Sequence, residues 1–244
     1  MVSMLLSEAT STTGIKRYTL TEQIVEWLST RIITGEYRPN TPLTEVELAE
    51  TIGCSRSPLR EALRVLAQEG LVDLVPGKGA TVSPLEPKLA ADLYDTRALL
   101  EPAAARLAVA VITGADLARL RDAYAELRLA ADNQDVTRYQ GLNWSFHSDL
   151  YSLCPNSTIV DLIRLTWRRS LRYGQLLRSN RDRPRGSVVR KARLMEAIEA
   201  RDADGAAEHV AAIIMSGRSD VLEALTERPD DPYSYWEKSE LAAG

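Results

Sequence analysis

Cysteine, histidine and long apolar runs are scarce in this 244-residue chain, and each scarcity removes a class of function. There are two cysteines, Cys54 and Cys154, one hundred residues apart and in no CxxC pair. That excludes a disulfide framework and a thiol-rich metal site, and it fits the neutral thiols of a cytosolic protein. Two histidines, His147 and His209, are too few for a histidine-rich metal centre. No stretch reaches the ~20 apolar residues of a membrane span, so no membrane partner and a cytoplasmic location are expected. No glycine-rich phosphate loop and no nucleophile–base pair stands out, so neither a cofactor nor an enzyme is expected. Net charge is −4, which speaks to solubility and little else.

The informative stretch runs from Thr44 to Leu66. Thr44 with Glu47 three residues on has the spacing of a capping box. Leu48, Ala49 and Ile52 make an apolar helical face, and Gly53 suits a tight turn. Ser57-Pro58 reads as the cap and first residue of a second helix, with Leu59, Leu63 and Leu66 as its buried stripe and Ala62 allowing close packing. The opposite face carries Arg56, Arg60 and Arg64 in one row. Guanidinium groups can grip phosphates or fork onto guanine, and Ser55 and Ser57 can donate to phosphates at the helix N-terminus. Gly70 to Val75 and Ala80 to Val82 read as two strands around the turn Pro76-Gly77-Lys78-Gly79, a wing with Lys78 at its tip. Helix, turn, helix and wing in this order place a recognition helix in a DNA major groove. One fact runs the other way: Leu20 to Pro84 is net acidic, about −3, where DNA readers are usually basic. The cations are local to the second helix and wing, so weak non-specific binding and strong dependence on sequence are expected.

These residues resemble the winged helix-turn-helix of the GntR transcription regulators. The likeness rests on Leu48-Ala49, Gly53, Ser55 to Leu63, Leu66, Glu69-Gly70-Leu71 and Gly77-Lys78-Gly79. It implies that Ser55, Arg56, Ser57 and Arg60 meet operator DNA, with Gly77 and Lys78 in the minor groove; Thr44 at the cap and Arg64 in the arginine row are expected to face the DNA beside them. Some members carry a basic residue where this chain has Val46.

Beyond the proline-marked boundary Pro84-Leu85-Glu86-Pro87 the pattern is helical throughout. Helices are expected over roughly 88–110, 116–132, 135–152, 157–179, 187–201 and 203–226, packed as an antiparallel bundle. A break is expected at Pro184-Arg185-Gly186. Polar residues interrupt the apolar stripes at Arg97, at Asn143 and His147, and at Lys191. Buried charge is costly unless paired or given a ligand, so four convergent polar groups suggest a pocket. Each also has a plainer role: Arg97 pairing with Glu101, Asn143 and His147 as satisfied core groups, Lys191 snorkelling outward.

Asp92 to Ala108, Asn143-x-x-Phe146-His147 and Leu194 to Asp202 resemble the FadR-type C-terminal ligand-binding (FCD) domain. Many members of that group bind a divalent metal through an Asp or Asn and three histidines. Those positions fall here on Asn143, His147, Lys191 and Ile213, with His209 a turn short of the last. An ammonium repels a metal cation and isoleucine has no donor, so no bound metal is expected. Instead, Arg97 and Lys191 are expected to hold a small anionic metabolite, an organic acid or an acyl thioester, with Asn143 and His147 as hydrogen-bond partners.

The chain thus reads as mainly α. A flexible arm (1–17) precedes a winged helix-turn-helix domain with a small β-hairpin wing (18–84). An all-α antiparallel bundle for effector binding and dimerisation (85–228) and a frayed tail (229–244) follow. It is expected to be a homodimeric regulator of a short palindromic operator, modulated by its effector. Two rivals remain: an enzyme using the histidine, lysine and arginine, and a regulator whose helical half only dimerises. The second would show Arg97 neutralised by Glu101 and no cavity around Lys191.

Overall fold

The computed structural model describes residues 19–75, 79–178, 180 and 182–227. The expected arm, the wing tip Gly77-Lys78 and the tail lie outside the described residues. The chain is mainly helical, with one small sheet, and divides into two compact units between Leu85 and Glu86.

The first unit opens with α1 (Leu20–Thr34), started by a capping box in which Thr19 and Glu22 exchange bonds, and stopped by Gly35 at φ +86°. Strand β1 (Pro42–Leu43) follows, then α2 (Glu45–Ile52) and α3 (Arg56–Gln68). Between these two helices Gly53 takes φ +72°, a conformation that costs a side-chain-bearing residue energy. Strands β2 (Val72–Val75) and β3 (Gly79–Val82) complete an antiparallel sheet in the order β1-β3-β2. Leu28 of α1, Leu48 of α2, Leu59 and Leu66 of α3, and Val82 of β3 close on one core.

Two caps differ from expectation. Helix α3 starts at Arg56 with Ser55 as its cap, two residues before the expected Ser57. Proline at the third helical position sacrifices no intrahelical bond, so Pro58 is as compatible there as at the first. Thr44 does sit at the cap of α2, but its hydroxyl donates to the Glu47 carboxylate and accepts no amide hydrogen. Strand β1 was not expected. Two residues carry no readable period, and the pairing partners of Pro42 and Leu43 are Thr81 and Ala80.

The second unit contains α4 (Pro87–Val111), α5 (Gly114–Asp132), α6 (Val136–Ser152), α7 (Ser157–Gly174), α8 (Arg183–Glu199) and α9 (Ala203–Thr226). Side-chain caps fix four of the starts: Thr113, Asp135, Asn156 and Asp202 each accept a first-turn amide. Helices α4 and α9 form the most extensive helix pair of the unit. Gly217 of α9 allows the approach, since a Cβ there would meet the Tyr94 ring of α4 at 3.2 Å. The expected break at 184–186 is instead the first turn of α8, where Pro184 has no hydrogen bond to lose.

Candidate functional site

On the first unit, Arg56, Arg60 and Arg64 are exposed on the face of α3 opposite Leu59, Leu63 and Leu66. Arg56 has no ion pair among the described residues. Arg60 Nε donates to both oxygens of Glu45, at 2.9 and 2.8 Å. Arg64 donates to Glu61 at 2.6 Å. Ser55, Ser57 and Thr44 are exposed beside them, and Ser55 makes no capping bond, so the first-turn amides of α3 have no side-chain acceptor. Glu45, Arg60, Arg64, Leu74 and Val75 border an open groove of about 500 Å³. Glu45 was missed in the sequence because it lies fifteen residues from Arg60. Val46, where some relatives of this pattern are basic, is 48% exposed.

In the second unit one cavity of about 60 Å³ is lined by Arg97, Asn143, His147 and Lys191 together. A buried water needs roughly 10–15 Å³ on this scale, so the space suits only a small molecule.

Arg97, from α4, is 7% exposed. Its Nε donates to Glu101 at 2.6 Å. The same carboxylate accepts from Trp167 Nε1 at 2.7 Å and from Tyr151 Oη at 2.9 Å. The guanidinium also lies over the rings of Tyr94 and Trp144, at 4.8 and 5.4 Å from their centroids. Burial, the largest single influence, would lower the Arg97 pKa, but the Glu101 charge, the Tyr94 phenol, the hydrogen bond to Glu101 and the Tyr151 phenol together outweigh it and hold the group above its ordinary value. Arg97 is therefore a cation whose charge is already met.

His147 and Asn143 come from α6, four residues apart. His147 is buried with Nδ1 3.2 Å from Tyr151 Oη. Burial, and then the charges of Lys191 and Arg97, keep its pKa well below the usual value, so it is neutral. Lys191, from α8, is fully buried. Its Nζ donates to Ser187 Oγ at 2.9 Å and Tyr139 Oη at 3.4 Å. Burial, and then repulsion from Arg183 and Arg190, lowers its pKa from 10.5 to about 7. No carboxylate pairs with it among the described residues. Arg183 is paired with Asp220 at 2.9 Å. Arg190 also lines the cavity, and its buried Nε has no hydrogen-bond partner. Sequence reading missed Ser187, Tyr139, Arg183 and Arg190. Ser187 was visible as the residue one turn before Lys191; Arg183 fell outside a helix expected to begin at 187.

The lowered lysine has a measurable consequence. Between about pH 7 and 10.5 the unfolded chain holds the Lys191 proton and the folded chain does not, so stability rises with pH across that window. Below it the full penalty applies. Lys191→Met is expected to raise unfolding free energy at pH 7 by about 3 kcal/mol and to remove that alkaline rise. Chemical denaturation at pH 7, 8.5 and 10 reads both.

A metal does not fit. The third and fourth positions of the implied donor set are an ammonium hydrogen-bonded to two hydroxyls and an isoleucine, and no group of three or more His, Cys, Asp or Glu among the described residues could hold an ion.

A helix-turn-helix with a sheet wing, joined to a helical bundle with a cationic cavity, defines a DNA-linked regulator class. Comparison with known proteins specifies it. Residues 20–82 match the bacterial regulatory proteins of the gntR family, and residues 92–215 match the FCD domain. The chain belongs to the GntR family of transcription regulators with an FCD domain. It is 35% identical over 132 residues to the Nta operon transcriptional regulator of Aminobacter aminovorans, a match covering 54% of this chain and 62% of that one. It is 27% identical over 228 residues to the galactonate operon transcriptional repressor of Escherichia coli, covering 84% and 98%. The solved E. coli McbR/YncC shares the fold, with a TM-score of 0.74 at 24% identity over 85% of this chain and 99% of that one. No helix of the described residues is long and apolar enough to cross a membrane.

Proposed function

We propose that this regulator binds a short palindromic operator as a homodimer and that a small anion in the bundle cavity modulates the binding. Residues 18–84 form the DNA-binding domain and 85–228 the effector and dimerisation domain. Thr44, Ser55, Ser57 and Arg64 position α3 on phosphates, and Arg56 and Arg60 read base edges. Gly77 and Lys78 enter the minor groove on the strength of the family resemblance.

The observation that carries the effector half is Lys191, a buried amine in a cavity whose lining carboxylate, Glu101, is already committed to Arg97. Arg97, Asn143 and His147 share that cavity. Its size favours a small organic acid over an acyl thioester. The Arg97–Glu101 pair is the one feature favouring a domain that only dimerises; the cavity at Lys191 is what that reading lacks. Effector and operator are coupled when the effector binds one arrangement of the dimer more tightly than the other.

A thermal-shift screen against small carboxylates, acyl thioesters and divalent metals tests this. Stabilisation by a small carboxylate without metal is the expected result, since a ligand at 100 times its Kd adds about 2.7 kcal/mol. Stabilisation by zinc or nickel alone overturns it, and so does no response to any carboxylate.

A further inference from the structure

The cavity cations are not equivalent. Arg97 is matched by Glu101 and Arg183 by Asp220, both within 3 Å. Two remain unmatched, and they are neighbours on α8. Lys191 Nζ has only two hydroxyl partners. Arg190 has an unsatisfied buried Nε and no ion pair among the described residues. The sequence pattern pointed to Arg97 and Lys191 as the anion's two anchors. The pairing leaves Lys191 and Arg190 as the two unmatched cations of the lining.

We infer that the anion is seated between Lys191 Nζ and the Arg190 guanidinium, and that it enters together with a proton taken up by Lys191. This rests on the reading of the cavity as an effector site and adds the place, the second cation and the proton.

The surroundings of Lys191 support the proton uptake. From α4 the cavity receives Tyr94 and the Arg97–Glu101 pair, whose charges cancel. From α5, Tyr124 packs against α8, its hydroxyl donating to Val188 O at 3.4 Å. From α6 come Tyr139 and His147, and from α8 itself Arg183 and Arg190. The cavity face of α9 is Ile213, Ile214 and Gly217, with Asp220 committed to Arg183. The amine therefore meets two guanidinium charges and no free carboxylate, and in an empty cavity it is substantially deprotonated near pH 7. A bound carboxylate supplies the missing counter-charge, raises the proton affinity of Nζ and draws a proton from solvent. Of the groups around Lys191, His147 stays neutral above pH 6.5, and Tyr124 and Tyr139 titrate above their ordinary 10.0.

Isothermal titration of the full chain with acetate, lactate, oxalate and malonate tests this. Runs at pH 6.5, 7.5 and 8.5, in two buffers of different ionisation enthalpy, give both affinity and protons taken up. The expected result for a binding acid is a Kd that weakens toward tenfold per pH unit above 7, with net uptake approaching one proton at pH 8.5. Arg190→Gln, at a half-buried position, should weaken binding at least tenfold at pH 6.5 and move the onset of the pH dependence upward, because one of the charges that lowers the Lys191 pKa is gone. Lys191→Arg should bind with a flat pH profile. A Kd independent of pH in the wild type, or an unchanged Kd in Arg190→Gln, overturns the inference while the effector reading stands. Absence of binding by all four acids, with no thermal shift from any carboxylate, overturns both.

Discussion

Replacing Glu101 by Leu is expected to lower the unfolding free energy by about 3–5 kcal/mol, the usual loss when one member of a buried ion pair is removed. The reason is the number of groups that converge on one carboxylate. Its Oε1 accepts from Arg97 Nε and Trp167 Nε1, and its Oε2 accepts from Tyr151 Oη. Glu101 is wholly buried and Arg97 nearly so. Without the carboxylate, a guanidinium from α4, an indole N–H from α7 and a phenol from α6 all lose their acceptor in the bundle interior. A double-mutant cycle separates charge from packing. Arg97→Met in the Glu101→Leu background should restore most of the loss, because it removes the stranded charge. Denaturant titration of the four proteins gives the coupling. A loss below about 1 kcal/mol in the single variant would mean that Arg97 reaches solvent, contrary to its burial.

Replacing Arg56 and Arg60 together by Ala is expected to weaken specific operator binding by roughly 30- to 25,000-fold, since each bidentate base contact discriminates by about 1–3 kcal/mol. The DNA is a duplex selected by the wild-type protein from a randomised library, and the measurement is a binding titration at fixed salt. Sequence preference should flatten at the base pairs these residues read, whereas Arg64→Ala should weaken all sequences alike and reduce the salt dependence. The large loss follows from the charge balance around the helix. The segment from Leu20 to Pro84 is net acidic, about −3, so little non-specific attraction is left once the two guanidinium groups are gone. The exposed Arg60–Glu45 pair, with Nε bonded to both carboxylate oxygens, leaves the two terminal nitrogens of Arg60 outside that bond. A loss of less than threefold would place the base contacts elsewhere on the unit.

What could be read from the chain was what residue type and spacing encode locally. Gly53 marked the turn, and Leu59, Leu63 and Leu66 marked the buried side of α3, all three of which are enclosed. The six bundle helices were legible from period and from breaks at Gly, Pro, Asn and Asp, with edges displaced by a few residues. Two displaced starts, those of α3 and α8, share a cause: proline is equally at home at several positions of a first turn, so Pro58 and Pro184 could not fix the register of their helices. The convergence of Arg97, Asn143, His147 and Lys191 on one cavity was suggested by polar residues on apolar stripes. The Arg97–Glu101 pair was visible at one-turn spacing. Partners from distant segments were not: Tyr151 and Trp167 lie 50 and 66 residues from Glu101, and no local period announces them. Arg190 escaped notice for a different reason. It belongs to no apolar stripe, and only the three-dimensional pairing of its neighbours leaves it as the unmatched charge.

Strand β1 has a bearing on how the protein is made. Pro42 and Leu43 lie opposite Thr81 and Ala80 in the sheet, Asn40 N donates to Val82 O, and Val82 N donates to Thr41 O. The segment before α2 thus completes its backbone bonding only with residues some forty positions later. During synthesis, α1, α2 and α3 emerge before the strand that joins them to a sheet exists. The DNA-binding unit should therefore mature in one late step, when β3 clears the ribosome, and nascent chains halted before Ala80 should stay sensitive to protease however much helix they already contain.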